Sequence, residues 1–433
     1  MSAHDPSNPK KRLVLALATF GLLSLLYVLY ALVAPEPVDL PPERLSIPTG
    51  AGAGQLDVSL GPQLGAPRLE GNRVDLLVNG DEIFPAMLGA IREARTSVNL
   101  LTYVYWEGAI AEQFADELSA AARRGVEVRV LLDAYGARKI DLDWVERMRA
   151  AGCHVEWFHP LDWTTLRRFN NRTHRKVLVV DGRLGFTGGV GIAQQWTGDA
   201  QDPDHWRDDH FRVEGPVVRY MQGSFADNWR RASGEVLAGR TMFPDLQPVG
   251  EAAVVPVNSA ANERFSGIPL TYWLMFHSAR ERVLVATPYY VPDPDLALGV
   301  LEAARRGVQV TLLVPGEHQD SAIVRHASRT YYRDLLEAGV RIHEYQPTLM
   351  HTKIVVVDDA WSLIGSPNFD SRSFELNDEL ALAVYDRPLA RTLTESFAAD
   401  LAVSRRVTLE EVEDWSAFAR ARNHLSLLLR EQL

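Results

Sequence analysis

The chain of 433 residues contains an internal duplication, and this repeat restricts the possible folds more than any other feature of the sequence. A strand-like run, a helix ending in Ala-Ala-Arg-Arg-Gly and a second strand-like run occur in one half and recur in the other. The tracts Arg123–Gly125 and Arg305–Gly307 lie 182 residues apart, and two His-x-Lys pairs lie 177 apart. Such similar offsets across several elements indicate that two related units form the globular part of the chain.

Each half alternates predicted helices with predicted strands. Apolar residues follow the helical period at Phe114, Leu118 and Ala121, whereas the neighbouring strands are nearly continuous Val, Ile and Leu runs. Runs of that kind are typical of strands that helices cover on both faces. The sequence therefore predicts an α/β fold with two related domains about a pseudo-twofold axis, each domain having a mixed central sheet flanked by helices.

The chain divides into six predicted segments that differ in composition and period. They are a basic tail at 1–12, a membrane-spanning helix at 13–34, a Pro-, Gly- and Ala-rich linker at 35–70, a first domain at 71–250, a second domain at 251–400, and a helical segment at 401–433. The last segment ends in a Leu-rich run. Its pattern fits docking on the domain or on a membrane equally well.

The N-terminal segment is predicted to anchor the chain in a membrane. Leu13 to Ala34 form an uncharged run of 22 residues, and about 20 helical residues span a bilayer core. A cleaved signal peptide is the rival interpretation, but its apolar region is normally about 7–15 residues long. Because Lys10, Lys11 and Arg12 precede the run, the positive-inside rule places the N-terminus in the cytosol. In a bacterium, the large domain would then lie at the periplasmic or outer face of the inner membrane.

Two copies of a His-x-Lys-x4-Asp motif carry the predicted chemistry. The two copies supply these candidate catalytic residues: His174, Lys176, Asp181, His351, Lys353 and Asp358. On a strand, residues two apart point to the same face, so each histidine and its lysine enter one pocket together. The aspartate follows at the far end of the strand, a position that suggests a structural role for it.

Two histidines and two lysines suit attack on a phosphodiester. One imidazole attacks phosphorus to form a covalent phosphohistidine, and the other protonates the leaving oxygen and then deprotonates the incoming hydroxyl. The lysines stabilise the charge of the phosphoryl oxygens. This chemistry needs no metal or other cofactor, and no Cys/His cluster has metal-ligand spacing. The single cysteine, Cys153, lies in an apolar stretch and is predicted to be buried.

These motifs resemble the phospholipase D superfamily, and the resemblance covers residues 70–400. In that family the motif continues to a Gly-Gly or Gly-Ser turn and then an Asn. The second copy matches with Gly365, Ser366 and Asn368, so the resemblance implies that Ser366 and Asn368 support the site, Asn368 as a donor to the phosphate. The first copy has Gly191 where the family carries Asn, and one expected side-chain donor is therefore missing.

The resemblance also implies a role for each histidine. It makes His174 the nucleophile and His351 the general acid and base, roles that the residues alone do not distinguish. In the family, a downstream acidic residue holds each histidine in the correct tautomer. Glu379 fits this position in the second half, and either Asp208 or Asp209 fits it in the first.

Several stretches are similar to bacterial cardiolipin synthases, among them RTHRKVLVVDGRLGFTGGV, WRDDHFRVEGPVV and VATPYYVPD. This similarity implies a membrane-associated phosphatidyltransferase that makes cardiolipin from two molecules of phosphatidylglycerol through a phosphohistidine. The single predicted span departs from the two spans that are frequent in that family. Tyr289 and Tyr290, in the last of these stretches, fit either a pocket lining or core packing.

Three other functions remain open from the sequence. The first is a phospholipase D hydrolase that yields phosphatidic acid, the second a phosphodiesterase or nuclease, and the third a non-catalytic binding module. The net charge of −11 argues against broad nucleic-acid binding. Aromatic and arginine residues at 163–172 suit a lipid headgroup region, single-stranded nucleic acid or an ordinary packed loop. The sequence does not determine the acceptor alcohol, the acyl-chain preference or the oligomeric state.

Overall fold

The computed structural model describes residues 17–25, 59–160, 170–259 and 267–432. Residues 17–25 are helical and exposed, and the remainder of the predicted span at 13–34 lies outside the described residues, as does most of the 163–172 stretch. None of the helices within the described ranges is long and apolar enough to cross a bilayer.

The two halves contain corresponding elements. The first half contains α1 (Leu60–Leu64), β1 (Leu69–Val78), α2 (Asn79–Glu93), β2 (Ser97–Thr102), α3 (Ala109–Arg123), β3 (Glu127–Asp133), α4 (Leu142–Ala150), β4 (His154–Phe158), β5 (Arg172–Thr173), β6 (Val177–Val180), β7 (Leu184–Gly188), a 3-10 turn (Gln194–Trp196), β8 (Asp209–Glu214) and α5 (Val218–Ser233). The second half contains β9 (Ala252–Ser259), α6 (Gly267–Ser278), β10 (Arg282–Ala286), β11 (Tyr290–Val291), α7 (Pro294–Arg305), β12 (Gln309–Pro315), α8 (Ala322–Arg329), α9 (Tyr332–Glu337), β13 (Arg341–Tyr345), β14 (Ile354–Val357), β15 (Trp361–Gly365), β16 (Phe369–Asp370), α10 (Ser371–Glu375), β17 (Asn377–Tyr385) and α11 (Arg387–Ala402). The chain then continues with β18 (Ser404–Arg406), α12 (Leu409–Glu413), α13 (Ala417–Ser426) and a 3-10 helix (Leu427–Gln432).

One mixed sheet runs through both halves. Its order is β18-β13-β12-β10-β14-β15-β17-β9-β1-β8-β7-β6-β2-β3-β4, and β1 pairs antiparallel with β9 at the centre. Strands β2, β3 and β4 are parallel to one another, as are β10, β12 and β13, and the path between these two groups is antiparallel. The predicted α/β fold with a mixed sheet is confirmed, and the two predicted central sheets are joined into one.

Helices cover both faces of this sheet. Along β2, Val98 and Leu100 face the core under α2, α3 and α4, whereas Leu101 faces the core under α5 and α11. Successive strand residues point to opposite faces, which is why these strands carry apolar residues on both faces. Cys153 lies in the first of these cores with 5% of its surface exposed, and burial raises its pKa to about 12. Its predicted burial is therefore confirmed.

The ends of the globular part differ from the predicted segments. The linker predicted at 35–70 includes α1, whose Leu60 is fully buried with Val257 and Ile268 in the core of the second half. The segment predicted as helical at 401–433 contains β18, which extends the sheet beside β13. A single buried leucine in a Pro- and Gly-rich stretch, or a strand of three residues, carries no periodic signal that a sequence reading can detect.

Candidate active site

The backbone of each half anchors the histidine of the other half. Strand β5 pairs in parallel with β17, and the N–H of His174 donates to the carbonyl of Asp378 at 2.9 Å. In the same way, the N–H of His351 donates to the carbonyl of Arg207 at 2.7 Å. The two motifs, far apart in sequence, are therefore held at one junction between the halves.

Each histidine also contacts a carboxylate that belongs to the other half. Nδ1 of His174 lies 2.9 and 3.1 Å from the two carboxylate oxygens of Glu379. Nδ1 of His351 lies 2.8 Å from Oδ2 of Asp208. All four side chains are buried. The structure thus brings together the predicted histidines and acids, and each acid contacts the histidine of the opposite motif.

Asp209, the alternative partner, points elsewhere. Its carboxylate lies 2.6 Å from the guanidinium of Arg207, and Arg207 also pairs with Asp400 of the second half at 3.0 Å. Adjacent residues in extended chain point to opposite sides, so only one of two consecutive aspartates reaches the histidine. The structure places Asp208 at the histidine and Asp209 in a buried ion pair between the halves.

Hydrogen bonds hold both acids in their ionised, oriented state. Ser366 donates its hydroxyl to Glu379 at 2.5 Å, and Trp196 donates its indole N–H to Asp208 at 2.8 Å. Burial raises the pKa of each carboxyl, but the contact with the paired histidine, the charge of the neighbouring lysine and the hydrogen bond from Ser366 or Trp196 together outweigh it and leave the pKa below its ordinary value. A Cβ at Gly189 would lie 2.1 Å from Oδ1 of Asp208, so only glycine leaves room for this acid.

Burial keeps His174 neutral. It lowers the pKa of His174 to about 4, an effect that the charge of Glu379 only partly offsets. Burial and the charge of Lys353 also lower the pKa of His351. Because Nδ1 of His174 donates its proton to Glu379, the lone pair of a neutral ring lies on Nε2. That nitrogen is the atom that is free to attack an electrophile.

The two lysines are buried cations whose charge depends on pH near neutrality. Nζ of Lys176 donates to the carbonyl of His174 at 2.9 Å, and Nζ of Lys353 donates to the carbonyl of His351 at 2.6 Å. Burial lowers the pKa of Lys176 to about 7 and that of Lys353 to about 8. The charge of Lys353 also lowers the pKa of Lys176, as expected for two cations that share one anion site.

Anion binding by the free protein is expected to weaken as pH rises. Lys176 and Lys353 lose their charges as pH passes about 7 and about 8, whereas sulfate keeps its charge over this range. A hydrogen bond to a charged group contributes about 1.5–3 kcal/mol, so the dissociation constant of sulfate should increase at least about tenfold between pH 6 and pH 9. Calorimetric titration measures this. Lys176→Met should weaken sulfate binding at pH 6 and make the affinity less dependent on pH. Lys139→Met, at an exposed position, should change neither the affinity nor its pH dependence. A sulfate affinity of the wild-type protein that stays constant from pH 6 to pH 9 would contradict this prediction.

The predicted supporting residues of the second half occupy different positions. Ser366 contacts Glu379 and accepts the N–H of Leu380 at 3.0 Å, so its hydroxyl orients the acid. The side-chain oxygen of Asn368 is buried and has no hydrogen-bond partner among the described residues. An amide oxygen accepts hydrogen bonds and cannot bind a phosphate oxygen, so a contact of Asn368 with phosphate would use its Nδ2 hydrogens, and its predicted donor role stays a prediction.

In the first half, an aromatic ring occupies the space of the missing Asn. A Cβ at Gly191 would lie 2.7 Å from Cβ of Val104 and 3.2 Å from Cη2 of Trp196. The Trp196 ring packs edge-on against His351, with 5.3 Å between the ring centroids, and its N–H binds Asp208. In the first half, Trp196 therefore occupies the place of the Asn donor that the family has there, and it positions Asp208. No motif in the sequence signals this role.

Gly191→Asn, which introduces the residue typical of the family, is expected to impair the protein. The new side chain collides with Val104 and Trp196, and overpacking of this kind costs about 1–3 kcal/mol. Urea unfolding should show that loss of stability, and turnover of phosphodiester should fall because Trp196 moves away from Asp208. Gly223→Asn, at a helical position where a Cβ meets nothing within 4 Å, is the matched control. Higher turnover in Gly191→Asn would contradict this explanation.

Aromatic rings form the walls around both histidines. The Tyr103 ring lies 5.2 Å from His174, and the rings of Trp206 and Tyr289 lie 5.9 and 6.4 Å from His351. These apolar walls explain the desolvation that lowers the pKa of both histidines. Tyr289 faces the site, whereas its neighbour Tyr290 is buried in the core with 1% exposed. Tyr289 therefore fits the pocket-lining interpretation, and Tyr290 fits the core-packing interpretation.

Asp181 and Asp358 lie outside this cluster. Each follows its lysine by five residues of extended chain, which is about 16 Å. The carboxylate of Asp181 accepts the backbone N–H groups of residues 95–97 at 2.7–3.1 Å, and Asp358 accepts those of residues 280–282 at 2.8–2.9 Å. Their grouping with the catalytic residues is therefore corrected, because each closes the turn that precedes a central strand.

Asp181→Asn is expected to lower stability without altering the chemistry of the site. Asp181 has φ +53°, a conformation that asparagine also tolerates, so the change removes mainly the charge and some of the hydrogen bonds. Burial raises the pKa of Asp181, but bonds from Ser97, Thr96 and Arg95 outweigh it and lower the net value. The stability it contributes is therefore lost as pH falls below its ordinary pKa. Thermal unfolding at pH 7 should show a loss of about 1–3 kcal/mol, with kcat of the folded fraction retained; a selective loss of kcat would contradict a structural role.

Two related halves on one mixed sheet, with a buried pair of His-x-Lys motifs between them, define a phospholipase D-type architecture. A family model described as "Cardiolipin synthase, PLD-like domain" matches residues 87–205 and 273–401. The major cardiolipin synthase of Bacillus subtilis is 33% identical over 363 residues, which are 83% of this chain and 75% of that protein. Cardiolipin synthase A of Pseudomonas fluorescens is 36% identical over 352 residues, 81% and 73% of the two chains. The chain therefore belongs to the cardiolipin synthase family with phospholipase D-like domains.

The fold is also similar to a solved structure of another enzyme. Phosphatidylserine synthase of Haemophilus influenzae superposes with a TM-score of 0.69 over 87% of this chain and 100% of that chain. The sequences are 15% identical, so this likeness concerns the fold alone. It shows that the joined halves are an arrangement found in a solved protein.

Proposed function

We propose that this chain is a phosphatidyltransferase that forms cardiolipin from two molecules of phosphatidylglycerol and releases glycerol. The observation that carries the proposal is the crossed arrangement of His174 with Glu379 and His351 with Asp208, beside two buried lysines. It provides a neutral nucleophile, an acid and base, and cationic groups for a phosphoryl oxygen. The names of the relatives supply the reaction and, through it, the substrate.

In the first half-reaction, Nε2 of His174 attacks the phosphorus of a phosphatidylglycerol. A P–N bond forms, the P–O bond to glycerol breaks, and His351 gives its proton to the departing oxygen. Glu379 stabilises the positive charge that develops on the His174 ring. Lys176 and Lys353 bind the non-bridging oxygens, and Asn368 donates to them. The product is a phosphatidyl group held covalently on His174.

In the second half-reaction, a hydroxyl of another phosphatidylglycerol replaces the histidine. His351, now neutral, removes the proton from that hydroxyl, and the oxygen attacks phosphorus. The P–N bond breaks, so cardiolipin leaves and neutral His174 is restored. Water in place of the alcohol would yield phosphatidic acid, which is the hydrolase alternative. The aromatic walls around both rings exclude water and favour the alcohol.

The same proposal assigns the chain to a bacterial inner membrane. Residues 13–34 would span it, with tail 1–12 in the cytosol and the domains at 71–250 and 251–400 at the periplasmic or outer face, related by a pseudo-twofold axis between β1 and β9. The lipid substrate supports this placement, and so does an exposed apolar surface formed near the C-terminus by Phe418, Leu425 and Leu428. A reporter fused to the C-terminus that is active only in the cytosol would contradict the orientation.

Incubation of the purified full-length protein with phosphatidylglycerol vesicles tests the reaction. Mass analysis of the lipids should show cardiolipin, with free glycerol in equal amount, and neither should form with His174→Ala. Phosphatidic acid without cardiolipin would assign a hydrolase instead. Failure of the folded protein to consume phosphatidylglycerol would refute the proposed substrate.

A further inference from the structure

We infer that a cleft beside His351 binds the headgroup of the acceptor lipid, with its glycerol against Asp320 and its phosphate on Arg325. This inference rests on the proposed function and names the part of the site that selects the acceptor. The lining of the cleft includes Tyr289, Gln319, Asp320, Ser321, Arg325 and Leu349.

The cleft lies on the His351 side of the catalytic centre. Tyr289 forms part of its wall, and the ring of Tyr289 stands edge-on to His351 with 6.4 Å between centroids. Leu349, two residues before His351, forms another part. The Tyr289 hydroxyl donates to Asp320 at 2.5 Å. Burial lowers the pKa of Lys353, and the negative charge of Asp320 is near enough to offset part of that effect.

The polar groups of the cleft suit an alcohol that carries an anion. Asp320 is exposed and can accept hydrogen bonds from glycerol hydroxyls, and Gln319 and Ser321 beside it can both donate and accept. Deeper in the cleft, Nε of Arg325 is buried and has no hydrogen-bond partner within the described ranges, nor does its guanidinium pair with any acid there. The side chain of Arg325 is half-buried, and burial and the charge of Arg329 lower its pKa, which the charge of Glu344 only partly offsets. A ligand phosphate would give the buried Nε a direct partner.

The neighbouring Arg329, in contrast to Arg325, has an acidic partner. Arg329, one helical turn after Arg325, pairs with Glu344 at 3.0 Å, and Arg405 occupies the other oxygen of the same carboxylate. Both oxygens of Glu344 thus bind other arginines, and Arg325 forms no ion pair with an acid in the described ranges. Helix α8 therefore presents one paired and one unpaired arginine, and the unpaired one faces the cleft.

The reaction requires the acceptor to bind on this side of phosphorus. His351 protonates the leaving glycerol and later deprotonates the attacking hydroxyl, so both alcohols approach the ring of the same histidine. The leaving glycerol and the attacking glycerol can therefore occupy one subsite. Only the acceptor lipid brings a second phosphate, three carbons away from the attacking hydroxyl. Arg325 would distinguish that lipid from water, free glycerol and simple alcohols, as a specificity-determining residue.

Competition between two acceptors tests the inference. Full-length protein is incubated with phosphatidylglycerol vesicles and ethanol, so that cardiolipin and phosphatidylethanol form from one covalent intermediate. Arg325→Gln should lower the ratio of cardiolipin to phosphatidylethanol at least tenfold while phosphatidylethanol forms at the wild-type rate. Arg325→Lys should restore part of the ratio. The control is Arg333→Gln on α9, an arginine whose side chain is 60% exposed, and it should leave the ratio unchanged.

The possible outcomes separate this inference from the proposed function. An unchanged ratio in Arg325→Gln would overturn the inference, and so would an equal fall of both products, since Arg325 would then act on folding or on the first step. Wild-type protein that forms phosphatidylethanol but no cardiolipin would overturn the proposed function itself, and the acceptor subsite with it. A selective loss of cardiolipin, partly recovered with lysine, would support the inference.

Discussion

His174→Ala is expected to eliminate the first chemical step, whereas His351→Ala should still perform it once on an activated substrate. A phosphatidyl ester of nitrophenol needs no proton on its leaving oxygen, so attack by His174 proceeds without a general acid. His351→Ala should then release one equivalent of nitrophenol in a burst and stop, because no base activates the second alcohol. His174→Ala has no nucleophile and should show no burst.

The expected magnitudes are large. Removal of the nucleophile or of its paired base in a concerted site lowers kcat by about 10⁴- to 10⁶-fold, and turnover of phosphatidylglycerol should fall by that factor in both variants. Rapid-mixing absorbance gives the burst amplitude, and intact-protein mass gives the covalent adduct on His351→Ala. His318→Ala, at a histidine between strand β12 and helix α8, is a control that should retain full turnover.

The alternative outcomes are equally specific. A burst in His174→Ala and none in His351→Ala would mean that the two histidines have exchanged roles. A burst in neither would exclude a covalent intermediate that one histidine forms alone. The sequence does not distinguish the two rings, and the structure shows each with an acid on Nδ1. The nucleophile therefore has to be identified by experiment.

The local parts of this site could be predicted from the sequence. Two His-x-Lys pairs each precede a buried apolar strand, and the alternation of strand residues was enough to place each histidine beside its lysine. Glu379 also proved to lie in contact with a histidine. The strands themselves were visible as Val, Ile and Leu runs, because a strand buried on both faces is mainly apolar.

Contacts between distant segments could not be predicted. Glu379 lies 205 positions from His174, and Asp208 lies 143 positions from His351, so no local period relates the partners. The choice of Asp208 over Asp209 depends on which way one residue faces at the start of β8. Trp196 contacts Asp208 and His351 only because the fold brings them together. The absence of Asn at position 191 did not indicate that this ring takes its place.

Glu379→Gln and Asp208→Asn are expected to block different steps, although each change removes one carboxylate. In either variant the new amide can donate its N–H to Nδ1 of the histidine, which moves the ring proton to Nε2. His174 in Glu379→Gln then has no lone pair for attack. His351 in Asp208→Asn has none for activating the second alcohol. The acid from the second half thus controls the first step, and the acid from the first half controls the second.

The nitrophenyl ester separates the two variants. Glu379→Gln should lose the burst, with a fall in rate on the order of 10⁴-fold, as expected when the orienting carboxylate of a histidine becomes an amide. Asp208→Asn should keep the burst and accumulate the phosphatidyl adduct, which intact-protein mass detects on His174. Asp209→Asn serves as the neighbouring control, since Asp209 pairs with Arg207 and its loss should reduce stability but not the turnover of folded protein. The prediction would be contradicted if Glu379→Gln accumulated the adduct and Asp208→Asn lost the burst. Either the crossed pairing or the assigned roles of the two histidines would then be wrong. The burst assay on His174→Ala and His351→Ala would identify which of the two is wrong.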